Sequence, residues 1–115
     1  MSETVKPEES PARILYKQAF GLFAKNELEA SIARFREAIA ADPRLAIAWN
    51  GLSLALAKQG ELDAAIDAAE KLVELEPDDP LSHTNLSRIL MQKGLIPEAE
   101  DAKARAMSLQ MKVRG

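Results

Sequence analysis

Residue types repeat along this 115-residue chain with a period of 34, and the period constrains the fold more than any single motif does. Three copies are in register: Leu22, Leu56 and Leu90; Asn26, Gly60 and Gly94; Leu28, Leu62 and Ile96; Ala19, Ser53 and Ser87. A fixed period of about 20–50 residues indicates an array of stacked supersecondary units. We expect one domain over residues 11–113, with units 12–45, 46–79 and 80–113 and a tail at 114–115.

Each unit carries two amphipathic helical patterns. In the middle unit Trp49, Leu52 and Leu56 are spaced three and four residues apart, which puts them on one face of a helix. Gly60 separates this helix from the next, as expected for a tight turn between helices. Prolines at the ends of the first two units predict where the second helices stop. The predicted helices are 11–24, 28–41, 45–58, 62–75, 80–92 and 97–111.

At these positions the units resemble the tetratricopeptide repeat. The middle unit has Trp49, then Leu52 and Leu56, small residues in the second helix, and a closing Pro77. The third unit departs from the pattern, with His83 in place of the Trp and Met111 in place of the closing proline. The resemblance implies an all-α protein, a right-handed α-solenoid of three helix-turn-helix repeats with six antiparallel helices.

Motifs for catalysis are missing from the sequence. Without cysteine there is no disulfide, thiolate metal site or cysteine nucleophile. The single histidine, His83, takes the place of Trp49, so we expect it to pack between helices. No phosphate-binding glycine loop, nucleophile elbow or His/Asp/Glu ligand set is present. We therefore expect no enzyme, no cofactor and no metal.

Charge is distributed unevenly in a chain whose net charge is −3. None of the 18 acidic residues lies in 12–25, 46–59 or 80–93, the first helix and turn of each unit. The middle unit has two bases and eight acids, a net charge of −6, whereas residues 80–115 have six bases and three acids, a net charge of +3. Acidic groups are thus predicted on the second helices, the connectors and the head.

The resemblance implies that the first helices line a concave groove in which such proteins bind peptides. The positions carried over from the family predict a partner-binding site at Arg13, Tyr16, Lys17, Phe20, Phe23, Asn50, Leu54, Lys58, Thr84, Asn85, Arg88 and Met91. The same positions add Ala24, Ile47, Gly51, Ala57, Leu81 and Gln92. Together these residues hold four bases and no acid.

Two interpretations of this lining remain open. It either forms a cationic and aromatic groove for a protein or peptide with acidic and apolar side chains, or it reflects acid-poor first helices in which Phe20 and Phe23 partly pack inward. The clamp with which some family members grip a chaperone's C-terminal carboxylate is missing. Four scattered bases in a net acidic chain also argue against nucleic-acid binding.

Apolar residues continue to the end of the chain, although Glu100 and Lys103 make the third unit resemble a polar cap. These residues are Ala106, Met107, Leu109, Met111 and Val113. They either pack back onto the first helix of their unit or form a contact patch for another chain. The second possibility supports an alternative function, in which the protein is a structural building block that forms homo-oligomers through its terminal helices.

The head, residues 1–10, is polar, acidic and contains proline, so we expect it to be disordered. A second interpretation is that it folds over the basic lining and competes with a partner. The head has no apolar core of signal-peptide type, and no stretch approaches the roughly 18 apolar residues that span a bilayer. We expect a cytoplasmic protein without direct membrane insertion.

Overall fold

The computed structural model describes residues 10–114, which form six α-helices and confirm the predicted solenoid of three helix-turn-helix repeats. The helices are α1 (Pro11–Ala24), α2 (Leu28–Ala41), α3 (Ala46–Gln59), α4 (Leu62–Leu75), α5 (Pro80–Lys93) and α6 (Ile96–Arg114). Predicted and observed bounds agree to within one residue except at the end of α6. This helix continues to Arg114 because no proline or glycine interrupts it earlier.

Side-chain caps and prolines set the starts of α1 and α5. The hydroxyl of Ser10 accepts a hydrogen bond of 3.2 Å from the backbone N–H of Arg13, and Pro11 is the first helical residue. At α5 a carboxylate oxygen of Asp79 accepts from the N–H of Leu81 at 3.0 Å. Each cap satisfies a backbone donor that the first helical turn leaves without a partner.

Left-handed backbone geometry ends the first helix of every repeat. Gly60 and Gly94 have φ angles of 89° and 90°, and Asn26 has a φ of 63° at the equivalent place. Glycine adopts this geometry without steric cost, and asparagine is among the few other residues that tolerate it. The turn residues that define the 34-residue period therefore also determine where the two helices of each repeat reverse direction.

The helices stack in order, and the stack is curved. Each helix packs against its neighbours in the chain. In addition, α1 contacts α3 and α3 contacts α5. The second helices differ, because neither the pair α2 and α4 nor the pair α4 and α6 shares such contacts. Since the first helices of successive repeats touch and the second helices are spread apart, the first helices lie on the concave side. The Cα atoms span 54 × 36 × 20 Å.

Phe35 of α2 is the largest fully buried side chain in the core between the first two repeats. Buried hydroxyls inside the repeats are paired. Ser31 donates to the carbonyl of Ala19 at 2.9 Å, and in the third repeat Ser87 donates to the carbonyl of Ala99 at 2.8 Å. The direction of the hydrogen bond is reversed between the two repeats, since serine lies on the second helix in one and on the first helix in the other. A core this rich in small residues lets the helices approach closely.

The apolar residues of the last helix divide into buried and exposed ones, and a contact patch for another chain stays a prediction. Ala106 and Leu109 are buried, and α5 is the helix against which α6 mainly packs. Met107 and Met111 remain 57% and 71% exposed. Polar capping of the array is therefore incomplete at its C-terminal end. The side chain of Val113 is not among those that the structure describes.

The expectation for the acidic head concerns residues 1–10, and all of these except Ser10 lie outside the described residues. Ser10 itself caps α1 and belongs to the folded array. Disorder of the head and its competition for the groove stay predictions.

A candidate protein-binding groove

The concave groove is formed by α1, α3 and α5, the first helices of the three repeats, of which α3 contacts both of the others. Their sequences contain no Asp or Glu, so the face that they present carries positive charge only. The bases predicted here, Arg13, Lys17, Lys58 and Arg88, are at least partly exposed. The ion pairs found between residues 10 and 114 join Arg34 to Glu37, Lys71 to Glu74 and Lys93 to Asp63, and none uses a groove base.

Large apolar side chains lie exposed on the same helices. Phe20 is 53% exposed, and at the same position of the second repeat Leu54 is exposed as well. Met91 is exposed on α5, as are Ile47 and Leu81 near the starts of α3 and α5. Contiguous exposed apolar surface marks interaction sites more often than scattered single residues do. Five of the nine exposed large hydrophobic residues of the described chain belong to the groove.

Three aromatic rings follow one another along α1. The ring centroid of Phe20 lies 6.1 Å from that of Tyr16 and 6.4 Å from that of Phe23, at tilted angles. Tyr16 also contacts the buried ring of Phe35, at 5.9 Å. Tyr16 and Phe23 are partly buried against the core, whereas Phe20 projects outward. The core thus holds Tyr16 and Phe23 in place and leaves the ring of Phe20 exposed.

A lysine from the second repeat covers the last of these three rings. The ammonium group of Lys58 on α3 lies 5.4 Å from the centroid of the Phe23 ring on α1. A cation within about 6 Å of an aromatic face is attracted by the ring quadrupole. The contact holds the lysine beside Phe23, so positive charge and aromatic surface lie side by side at this end of the groove.

Asn85 differs from its predicted place on the groove surface, because its side chain is only 7% exposed. Its amide nitrogen donates to the hydroxyl of Ser53 at 2.8 Å and to the side-chain oxygen of Asn50 at 3.1 Å. Asn85 therefore joins α5 to α3 beneath the groove. Thr84, the preceding residue, is half-buried and donates to the carbonyl of Pro80 in its own helix at 3.0 Å.

Gly51 also differs from the position carried over from the family, since it is buried against the ring of Phe35. Sequence reasoning missed this close approach. The sequence did contain an indication that the two residues meet, because Phe35 is the only aromatic residue on a second helix and Gly51 lies on the helix that follows. Gly51, Asn85 and also Ala57, which is 7% exposed, are therefore buried, whereas the other predicted residues are at least partly exposed.

His83 takes the role expected of it, in packing between helices. It is buried, and its Nε2 lies 2.8 Å from the carbonyl oxygen of Pro77. Trp49, one repeat earlier, donates from Nε1 to the carbonyl of Pro43 at the same distance. Both side chains tie a first helix to the proline that precedes it by six residues. The histidine replaces the tryptophan in position and in hydrogen bonding.

Neither a metal-binding cluster nor a membrane-spanning helix is found among residues 10–114. No group of three or more His, Cys, Asp or Glu side chains in this range is arranged to hold a metal ion. Over the same residues, none of the six helices combines the length and the apolar character that crossing a bilayer requires.

Comparison with known proteins identifies relatives at the level of the repeat. Two family models described as tetratricopeptide repeat match the chain, over residues 16–80 and 56–108. The first of them covers more than half of the chain. A search of curated proteins finds no match.

Solved structures with similar folds include MamA, which is 28% identical over 90% of this chain with a TM-score of 0.85. The chain spans 60% of the length of MamA. The Yersinia enterocolitica type III secretion translocator chaperone SycD, in a form described as an alternative dimer, is 24% identical over 90% of this chain and 80% of SycD, with a TM-score of 0.82. The first repeat domain of Spaghetti (RPAP3), bound to the HSP90 peptide SRMEEVD, is 15% identical over 85% of this chain and 78% of that one, with a TM-score of 0.81. The last two likenesses concern the fold alone.

Proposed function

Because the chain belongs to the tetratricopeptide repeat family, we propose that it is an interaction adaptor that holds a partner peptide or protein segment in its concave groove. The partner carries acidic and apolar side chains in this proposal. The cytoplasmic location expected from the sequence remains part of it, as does a binding role without catalysis and without nucleic acid.

The observation that carries the proposal is the exposure of Phe20 on a set of helices that carry bases and no acids. A phenylalanine ring that is 53% exposed keeps much of its apolar surface in water unless something covers it. Lys17 and Arg88, on the same concave helices, supply positive charge without a neutralising acid. Buried aromatic contacts contribute affinity, and complementary charges contribute orientation and association rate.

The competing interpretation is that the first helices are acid-poor for structural reasons only. It describes Phe23 well, since that ring packs against the core and under Lys58. It does not describe Phe20, Leu54 or Met91, which are all exposed on the same face. The structure of Spaghetti with an HSP90 peptide supports the proposal by analogy of fold, because a peptide partner is present on a similar array.

The experiment compares capture of partners from native extract by the wild type and by the variant Phe20→Ala/Arg88→Glu. The matched control is Ile96→Ala/Arg36→Glu, which makes the same kinds of change at exposed positions on α6 and α2, outside the groove. Circular dichroism checks that all three proteins remain helical. Partners identified by mass spectrometry are then produced, and their affinities are measured by calorimetry.

A partner bound by the wild type and by the control, but at least tenfold more weakly by the groove variant, supports the proposal. Equal affinity for all three proteins would show that the groove is not the binding site. The control matters because a change of net charge alone alters weak association.

A second candidate function is self-assembly through the terminal helices, and the exposure of Met107 favours it. Ile39 and Val73 occupy the equivalent position in the first two repeats, and Ile39 packs against a buried cluster that joins the first repeat to Ala48 of the second. Met107 and Met111 lie where the third repeat has no successor among the described residues. An end of a solenoid without a full polar cap is a surface on which another copy can stack.

Light scattering over a wide range of protein concentration tests this candidate. Self-assembly predicts a molar mass that rises with concentration in the wild type and stays at the monomer value in Met107→Glu/Met111→Glu. A monomer at every concentration in the wild type eliminates it. The 12.6 kDa chain makes a dimer easy to distinguish.

A further inference from the structure

A pocket of about 220 Å³ opens between α3 and α5 at the edge of the groove. Its lining comes from the start of α3, the end of α4 with the loop that follows, and the start of α5. The lining residues are Ala46, Ile47, Asn50, Leu72, Glu76, Asp79, Leu81 and Ser82. Leu81, at the mouth of the pocket, is 73% exposed.

The repeat provides an internal comparison for this pocket, because subtracting 34 from its residue numbers gives the equivalent place between α1 and α3. Four of the equivalent residues, Ala12, Ala38, Leu45 and Ala48, form a buried apolar cluster. The side chain of Tyr16 packs against that cluster. In the first crevice, therefore, an aromatic side chain of the protein itself covers the apolar residues.

In the second crevice Asn50 stands where the first has Tyr16, so the aromatic ring is missing. Asp79 and Ser82 replace Leu45 and Ala48, which makes the crevice more polar at its rim. Leu72 in place of Ala38 adds some apolar volume, but the pocket remains open. The crevice that Tyr16 covers beside α1 therefore has no covering ring at the equivalent place beside α3.

The polar atoms around the pocket are partly engaged. The side-chain oxygen of Asn50 accepts from Asn85, so the amide nitrogen of Asn50 is the end left to donate. The hydroxyl of Ser82 is engaged with the carbonyls of Glu76 and Asp79, at 2.8 Å each. The exposed carboxylates of Glu76 and Asp79 lie at the rim. One oxygen of Asp79 already accepts from the N–H of Leu81, and the other carboxylate oxygens can accept a hydrogen bond from an O–H or N–H group.

We propose that this pocket binds one aromatic side chain, a tyrosine or a ring of similar size with a hydrogen-bond donor, supplied by the partner that occupies the groove. The ring would take the place that Tyr16 holds one repeat earlier. The inference rests on the proposed function, since it assigns a specific residue class to the partner of the same groove.

Size and chemistry support this occupant. A cavity of about 150 Å³ holds benzene, so 220 Å³ admits a six-membered ring with a substituent. The floor is apolar at Ala46 and Leu72, which favours the ring. The acceptors at the rim, Glu76 and Asp79, match the hydroxyl of tyrosine or the N–H of tryptophan, whereas an aliphatic side chain leaves them unused.

The first arm of the test uses p-cresol, the side chain of tyrosine, as a probe. It is titrated into ¹⁵N-labelled protein, and amide chemical shifts are followed in the wild type, Asn50→Tyr and Asn50→Ala. Both variants remove the Asn50 amide that accepts from Asn85 and leave the acceptor on Ser53, so the difference between them reports on whether the pocket is filled or widened. Thermal unfolding checks that both variants fold, as the presence of Tyr16 in the first repeat leads us to expect.

Saturable shifts confined to the starts of α3 and α5, present in the wild type and in Asn50→Ala and lost in Asn50→Tyr, support the pocket. The proposal is overturned if the wild type gives no localised shifts, or if the shifts persist in Asn50→Tyr. This arm needs no partner, so it judges the pocket even if the groove proposal fails.

The second arm measures the affinity of an identified groove partner for Asn50→Tyr. We expect a loss of at least tenfold, equal to about 1.4 kcal/mol, because the added ring excludes the partner's own. If Asn50→Tyr binds as tightly as the wild type while Phe20→Ala/Arg88→Glu does not, binding in the groove is supported and the pocket proposal fails. If Phe20→Ala/Arg88→Glu also binds normally, the proposed function fails instead.

Discussion

Gly51 lies so close to the ring of Phe35 that a Cβ atom added at residue 51 would overlap the ring. Phe35 belongs to α2 and Gly51 to α3, so the contact sets how closely the first repeat approaches the second. The missing side chain on one helix makes room for the largest fully buried side chain of the other. This pair therefore contributes to the spacing of α1 and α3, on which the shape of the groove depends.

The variant Gly51→Ala should destabilise the protein. Overpacking of a core costs about 1–3 kcal/mol, and this cost opposes a gain of about 1 kcal/mol from the better helix propensity of alanine. Urea denaturation measures the free energy of unfolding. The control is Gly21→Ala on α1, where no atom lies within 4 Å of an added Cβ, and we expect it to stabilise by about 0.5–1 kcal/mol. Equal effects at the two positions would contradict a steric role for Gly51.

The variant Asn85→Leu should weaken the contact between α3 and α5. It keeps the approximate size of the side chain and removes the hydrogen bonds to Ser53 and Asn50. We expect a loss of about 1–2 kcal/mol of unfolding free energy, because buried acceptors lose their donor. As a comparison, Thr84→Val removes only a hydrogen bond within α5 and should cost less than about 0.5 kcal/mol. A larger effect from Thr84→Val would show that the bridge is unimportant.

The neutral imidazole of His83 should carry its proton on Nε2. The carbonyl of Pro77 can only accept a hydrogen bond, so the ring nitrogen 2.8 Å away has to donate. Long-range ¹⁵N NMR spectra of the imidazole distinguish the two tautomers directly. The variant His83→Phe should lower the unfolding free energy by about 0.5–1.5 kcal/mol, through loss of this bond. Observation of the Nδ1–H tautomer in the folded protein would refute the assignment.

Binding of a groove partner should weaken with salt. Raising the salt concentration from about 0.01 M to about 1 M shortens the Debye length from about 30 Å to about 3 Å, which screens exposed charges. We expect a shallower dependence in Lys17→Gln/Lys58→Gln than in the wild type. The control Arg36→Gln/Lys71→Gln removes two bases from the second helices and should keep the wild-type slope. The same slope in all three proteins would exclude steering by the groove bases.

Much of the fold was predictable because its determinants are local. The turn residues Asn26, Gly60 and Gly94, the caps Ser10 and Asp79, and the spacing of apolar residues each act within a few residues of where they stand. Repetition at 34 residues then extends one helix pair to three. The end of α6 was predicted less well, since no strong stop signal precedes Arg114.

The candidate groove was predictable only in part. Its positive charge follows from the absence of acids in the first helices, and the exposure of Phe20 agrees with a position carried over from the family. The burial of Asn85 was not predictable in this way, because it depends on acceptors more than 30 residues away in the chain.

The sequence by itself determined the helix pairs, the turns between them and the absence of acids from the first helices, since these depend on residue type and short-range spacing. Only the tertiary structure decided which groove residues are exposed and how closely the repeats approach. Packing joins side chains that lie far apart in the chain, such as Phe35 with Gly51, and their fit depends on volumes that periodicity does not encode. The pocket beside Asn50 arises in the same way, from one repeat placing a smaller side chain where the previous repeat has a ring.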